Sequence, residues 1–190
     1  MPWGAGDLHH IRVDNAGGTR ALTEHLVTVH GLTRIAFVGA PEVTDYAERL
    51  EGMRAAMGTL GLPAPEAALD PTPLVCADPY PVLRRLLEGD RAGLPQALVC
   101  ASDQHALDVL ALLRDSGVRV PEDVAVTGFD GVAAGRFASP SLTTCRQPME
   151  AMGRLAVDVL MASLDDPEAA PVDVMLPVKP LFRASCGCAG

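Results

Sequence analysis

Val124-Ala125-Val126-Thr127-Gly128-Phe129-Asp130-Gly131 is the stretch on which the fold turns. It follows the turn signal Pro121-Glu122-Asp123 and ends at a charge and a glycine. A short apolar run bounded at both ends in this way reads as a strand buried on both faces of a parallel sheet. Working backward, Ala97 to Ala101 and Arg34 to Gly39 have the same character. Helical patterns separate these runs. Asp103 to Asp115 is apolar around much of its circumference and stops at Gly117. Tyr46, Leu50, Met53, Met57 and Leu60 form a single stripe closed by Gly61, with Pro63 beyond. Ala21, Leu22, His25, Leu26 and Val29 form another, ending at Gly31. Six prolines between Pro63 and Pro81 rule out a regular helix there, leaving a connection with one short strand, Leu74-Val75-Cys76. A further helix is predicted from about Tyr80 to Leu87. Working forward, Leu142 to Cys145 is a short extended piece and Met149 to Leu164 an amphipathic helix. Val172 to Phe182 is extended and carries Pro177 and Pro180, as edge strands can. Alternating strand and helix with short joints predicts an α/β layer structure, a mainly parallel sheet flanked by helices.

The chain has 190 residues, enough for one globular unit or two small lobes. With 48% apolar and 21% charged residues it is not a disordered chain. Its 24 acidic and 15 basic groups leave a net charge of −9, which opposes a polyanion such as DNA or an anionic membrane. Lys179 is the single lysine. No apolar run approaches the ~18 residues that span a bilayer, and the start does not resemble a secretion signal, so a cytoplasmic location without membrane partner is expected. Five cysteines show no C-x-x-C spacing, and three lie in apolar runs where a thiol acts as a small hydrophobe. Cys186 and Cys188 lack a second ligand pair at zinc spacing, and the five histidines contain no H-x-x-x-H. No metal and no cofactor are expected.

Open parallel sheets bind ligands beyond the carboxyl ends of their strands. Asp45 and Arg49 follow one strand, Ser102 and Asp103 the next, and Asp130 the third. A guanidinium fork facing carboxylate acceptors suits a polyhydroxylated or amide-bearing small molecule. Each group also has a plainer role. Ser102 and Asp103 can cap a helix, Arg49 can pair with Asp45 one turn earlier, and Phe129 can be core. The helix from Asp103 has either a doubly buried position or an outward face at a subunit interface. Enzyme signatures fail. There is no P-loop, no Gly-x-Ser-x-Gly elbow, and Gly4-Ala5-Gly6 lacks a third glycine. Ser102-Asp103-Gln104-His105 holds triad residue types, but at a helix start they diverge. Catalysis is not expected.

Ile11-Arg12-Val13-Asp14-Asn15-Ala16-Gly17-Gly18, His30-Gly31, Asp45 with Arg49-Leu50-Glu51-Gly52, Cys100-Ala101-Ser102-Asp103, Val120 to Gly131, Pro140 to Pro148 and Arg183-Ala184-Ser185-Cys186-Gly187-Cys188 together resemble the lactose/galactose-repressor (LacI/GalR) family of transcription regulators. The resemblance runs from about His10 to the end. It implies a periplasmic-binding-protein-like type I fold, with one nearly complete lobe and the carboxyl-terminal part of a second. Residues 1–13 would be a lead-in and first crossover strand, 14–145 the carboxyl-terminal lobe, and 146–190 the returning helix and strands with the tail. It also implies sensing of a small-molecule effector, a sugar or nucleoside-like compound, held by Arg49, Ser102, Asp103, Phe129 and Asp130. A homodimer is implied through Ala106, Leu107, Leu110, Ala134 and Phe137. The family's helix-turn-helix has no counterpart before His10, so operator DNA is expected only through a reader this chain does not carry. A free-standing sugar-binding protein of transport type, or an inert truncated product, are the alternatives.

Overall fold

The computed structural model describes residues 8–63, 79–89, 93–166, 168 and 170–189; the expected strand Leu74–Cys76 lies outside them. In chain order the elements are β1 (His10–Val13), α1 (Asn15–Thr28), β2 (Ile35–Val38), α2 (Thr44–Thr59), α3 (Pro79–Glu88), β3 (Ala97–Cys100), α4 (Asp103–Asp115), β4 (Ala125–Asp130), α5 (Ala133–Phe137), β5 (Thr143–Arg146), α6 (Met149–Asp165), β6 (Asp173–Leu176) and β7 (Lys179–Leu181), followed by a 3-10 turn at Ala184–Cys186.

Among the described residues, five strands form one sheet in the order β2-β3-β4-β5-β7. The first four are parallel, and β7 closes the β5 edge antiparallel, with Cys145 opposite Pro180 and Arg146 opposite Lys179. Their side chains explain the burial. Ile35 to Val38 and Ala97 to Cys100 are buried throughout, as apolar strands with helices on both faces must be. One face packs Leu26 of α1 and Leu50, Met53 and Met57 of α2 against Ile35, Phe37, Ala97 and Val99. The other packs Leu83 and Leu87 of α3 and Ala106, Val109, Leu110 and Leu113 of α4 against Val38, Leu98, Val124 and Val126. Helices α1 and α2 cross closely because Gly52 faces the Ala16 carbonyl, where a β-carbon would come to 2.1 Å.

A second, smaller layer stands apart from this sheet. Strands β1 and β6 pair in parallel, Ile11 opposite Val174 and Val13 opposite Leu176, and α6 lies along β1. No residue of α6 is buried, and Val157, Leu160, Met161 and Leu164 are all more than half exposed. The two layers meet where Val13, Leu22, Phe129 and Cys145 cluster, with Met152 and Val178 against them.

The packing places the residues of the expected interface at different depths. Ala106 and Leu110 face the sheet and belong to its core. Leu107 is half-buried beside that core, whereas Ala134 is exposed and Phe137 is 80% exposed. Among the described residues, no helix is long and apolar enough to cross a membrane.

Candidate functional site

At the carboxyl ends of the parallel strands, Arg49 enters from α2 and Asp130 from the last position of β4. The guanidinium does not lie on the helix surface beside Asp45. It turns inward and is only 3% exposed. Its Nε donates to Asn15 Oδ1 at 2.8 Å, and its Nη1 donates to the Ala101 carbonyl at 2.5 Å. Nη1 also stands 3.5 Å from Asp130 Oδ1. Beneath it lies the Phe129 ring, with Cζ 3.8 Å from the centroid, a cation–π contact in a poorly hydrated place. Burial lowers the pKa of this guanidinium, while the Asp130 and Asp45 carboxylates act to raise it.

Local sequence sets this geometry. Asp14 caps α1 by accepting from the Gly17 amide at 2.7 Å, which starts the helix right after β1 and fixes Asn15 below the guanidinium. Gly18 lets α1 approach the aromatic ring, since a β-carbon there would come to 2.8 Å from Phe129. Phe129 is thus core and platform together, 1% exposed.

Asp130 is the group that faces outward. Its side chain keeps 31% exposure, and Gln147 Nε2 donates to Oδ1 at 2.7 Å. Its φ is 125°, a region that side chains rarely occupy, and a backbone held there by its surroundings is typical of binding sites. Asp130, Gly131, Arg146, Gln147 and Pro148 line an open cavity of about 530 Å³ that continues to the start of α6. The cavity is of a size that suits a small ligand.

Asp103 and Ser102 take inward roles. Asp103 is fully buried. Its Oδ2 accepts from the Gly131 and Val132 amides at 2.8 and 2.7 Å, and its Oδ1 from Thr144 Oγ1 at 2.6 Å. Burial raises its pKa, against those hydrogen bonds. Gly128 makes room for it, because a β-carbon would meet Asp103 Oδ1 at 2.3 Å. Asp103 therefore holds the turn that presents Asp130, and its carboxylate faces protein rather than cavity. Ser102 caps α4 through the His105 amide at 3.3 Å, and His105 in turn packs edge-on against Tyr46.

Asn15 and Gln147 escaped the reading of strand ends. Gln147 directly follows β5, and Asn15 stands two residues after β1. Applying the strand-end rule to those two segments, rather than only to the three most apolar runs, would have found both.

A three-layer α/β lobe with a polar rim beyond its strands and a small second layer is the architecture of a periplasmic-binding-protein-like receptor. A family model described as a periplasmic binding protein-like domain matches residues 23–186. The HTH-type transcriptional regulator CelR of Thermobifida fusca is 34% identical over 94% of this chain and 52% of its own. The ribose operon repressor of Escherichia coli K12 is 34% identical over 88% of this chain and 51% of its own. A solved structure described as a transcriptional regulator CelR–cellobiose complex superposes with a TM-score of 0.82 at 33% identity, covering 97% of this chain and 56% of that one. The chain belongs to the periplasmic binding protein-like domain family, in the form found in LacI-type transcriptional regulators. It spans about half the length of the curated relatives it matches.

Proposed function

We propose that this chain is the effector-sensing portion of a LacI-type regulator and that it holds a small, uncharged, polyhydroxylated compound, a sugar, at the Arg49–Asp130 rim. The observation that carries the reading is the meeting of a buried guanidinium and a half-exposed carboxylate at 3.5 Å beside a 530 Å³ cavity. Asp130 offers acceptor oxygens to hydroxyl donors, and Arg49 fixes the carboxylate's direction from below. Ser102 Oγ stands 3.2 Å from His105 Nδ1 but is engaged as the cap of α4, and the chemistry proposed for the rim is reversible binding. Residues 14–145, closed by β7 and the 3-10 turn, act as one lobe and the β1, α6 and β6 layer as part of a second, with ligand held between them. The operator would be read by a helix-turn-helix elsewhere in the assembled regulator. Homodimerisation uses the outward patch of Leu107, Ala134 and Phe137, with Ala106 and Leu110 supporting it from inside.

Calorimetric titration and thermal shift against a panel of mono- and disaccharides and nucleosides test the effector reading. One sugar class should stabilise the chain, and Asp130→Asn, which keeps the shape and tolerates the positive φ, should weaken that sugar at least tenfold. Undiminished binding by Asp130→Asn, or a panel without any response, would refute it.

A further inference from the structure

Four side chains outside the rim converge from the two ends of the chain. His25 lies in the last turn of α1 and His30 just beyond that helix. Cys186 ends the 3-10 turn and Cys188 follows two residues later. Their donor atoms all lie within 4.8 Å of one another. His25 Nε2 is 3.1 Å from His30 Nε2 and 3.2 Å from Cys188 Sγ. His30 Nε2 is 3.5 Å from Cys188 Sγ, and Cys186 Sγ is 3.8 Å from His25 Nε2.

We propose that His25, His30, Cys186 and Cys188 form a structural zinc site. A tetrahedral zinc with its usual bond lengths sets nitrogen–nitrogen, nitrogen–sulfur and sulfur–sulfur edges of about 3.4, 3.6 and 3.8 Å. The nitrogen–nitrogen distance of 3.1 Å and the three nitrogen–sulfur distances of 3.2 to 3.8 Å fall close to those edges. The donor set is borderline-soft throughout, two imidazoles and two thiols, and S₂N₂ in a tetrahedron selects zinc over calcium or magnesium.

The surroundings are built to hold these donors. Gly187 has φ 104°, and a β-carbon on it would press to 3.2 Å from His30 Cε1. That left-handed residue turns the chain so that both cysteines face one point. The His25 ring is stacked on Phe182 with centroids 3.8 Å apart, which sets its plane. Ser185, next to Cys186, is pinned by its hydroxyl to the Val126 carbonyl and the Thr143 amide at 2.6 and 2.8 Å. Cys186 is buried while the other three donors are partly exposed, which leaves a path for the ion. Four protein donors fill the tetrahedron, so the site is closed and has no position for a reactant. Each thiol would release its proton to solvent as the ion binds. The result is a clasp between the end of α1 and the carboxyl-terminal segment, closing a loop of most of the chain.

This proposal departs from the expectation of no metal. The histidines are five apart and the cysteines two apart, and neither pair has a neighbour in sequence. Only the fold supplies the second half of the ligand set.

The test uses the whole 190-residue chain, prepared under reducing conditions with zinc and then freed of loose ion by gel filtration. Elemental analysis should find about one zinc per chain, and cobalt(II) should give the intense visible bands of a tetrahedral thiolate complex. Cys188→Ser and His30→Gln should each lower zinc affinity at least tenfold. A chelator should depress the melting temperature of the parent protein but not of either variant. Zinc-free protein with both thiols reduced would overturn the proposal. So would octahedral cobalt spectra, full retention of zinc by both variants, or a mass two hydrogens short showing a Cys186–Cys188 disulfide. The cobalt spectrum of the parent protein decides the matter even if a variant fails to fold.

Discussion

Helices α4 and α6 have comparable apolar content and opposite fates. In α4, Ala106, Val109, Leu110 and Leu113 disappear beneath the five-stranded sheet. In α6, with Leu155, Val159, Leu160 and Leu164 at helical spacing, nothing is buried. The strands differ likewise: β4 is buried along nearly its whole length, while β6 alternates between exposed and half-buried positions. Periodicity therefore announces that a helix has an apolar face but not what covers it. Coverage depends on how many strands stand opposite, among the described residues five in one layer and two in the other.

That contrast can be broken or sharpened by substitution. Removing the Asp103 carboxylate strands two amides and a hydroxyl in the large lobe, so Asp103→Ala should cost about 3–5 kcal/mol in urea unfolding. A loss below about 1 kcal/mol would show that the turn does not depend on it. The same carboxylate carries a pH signature. Its folded pKa is raised by burial, so its contribution is fully present below the ordinary carboxylate pKa of about 4 and is lost as pH rises through the raised value. The stability advantage of the parent protein over Asp103→Asn should accordingly shrink as pH rises from about 4 through the raised value.

Leu98, fully buried in β3, should cost about 3 kcal/mol as Leu98→Ala. Thr127 carries the one buried hydroxyl without a hydrogen-bond partner among the described residues. Thr127→Val should therefore raise stability by about 1 kcal/mol, visible as a higher melting temperature. Leu160→Ala, on the uncovered face of α6, should change stability by less than about 0.5 kcal/mol. A cost for Leu160→Ala as large as that for Leu98→Ala would mean that α6 is covered in solution.

Much of the large lobe was legible in the sequence because its signals are local. Helix α4 spans the predicted Asp103–Asp115, fixed by a Ser cap and a Gly stop. The three most apolar runs became β2, β3 and β4. Helix α5 gave no periodic signal in its five residues, and β5 looked like a fragment because its pairing partners come from distant segments. At the rim, Arg49 and Asp130 could be placed at strand ends from sequence, but their 3.5 Å approach and the Phe129 platform depend on α1 and α2 crossing at Gly52. The inward turn of Asp103 was invisible for the same reason, since its three donors lie 28 to 41 residues away. For α4, helical spacing gives a stripe without saying which sheet it meets, so the sequence left double burial and an outward face both open.

Strand β7 carries Lys179 and Pro180 where the ladder ends. A proline has no amide to offer an incoming chain, and a charged lysine beside it resists dehydration. The lobe thereby terminates its own hydrogen-bonding run on this side. Edge-to-edge zipping of crowded copies is disfavoured on this side of the sheet.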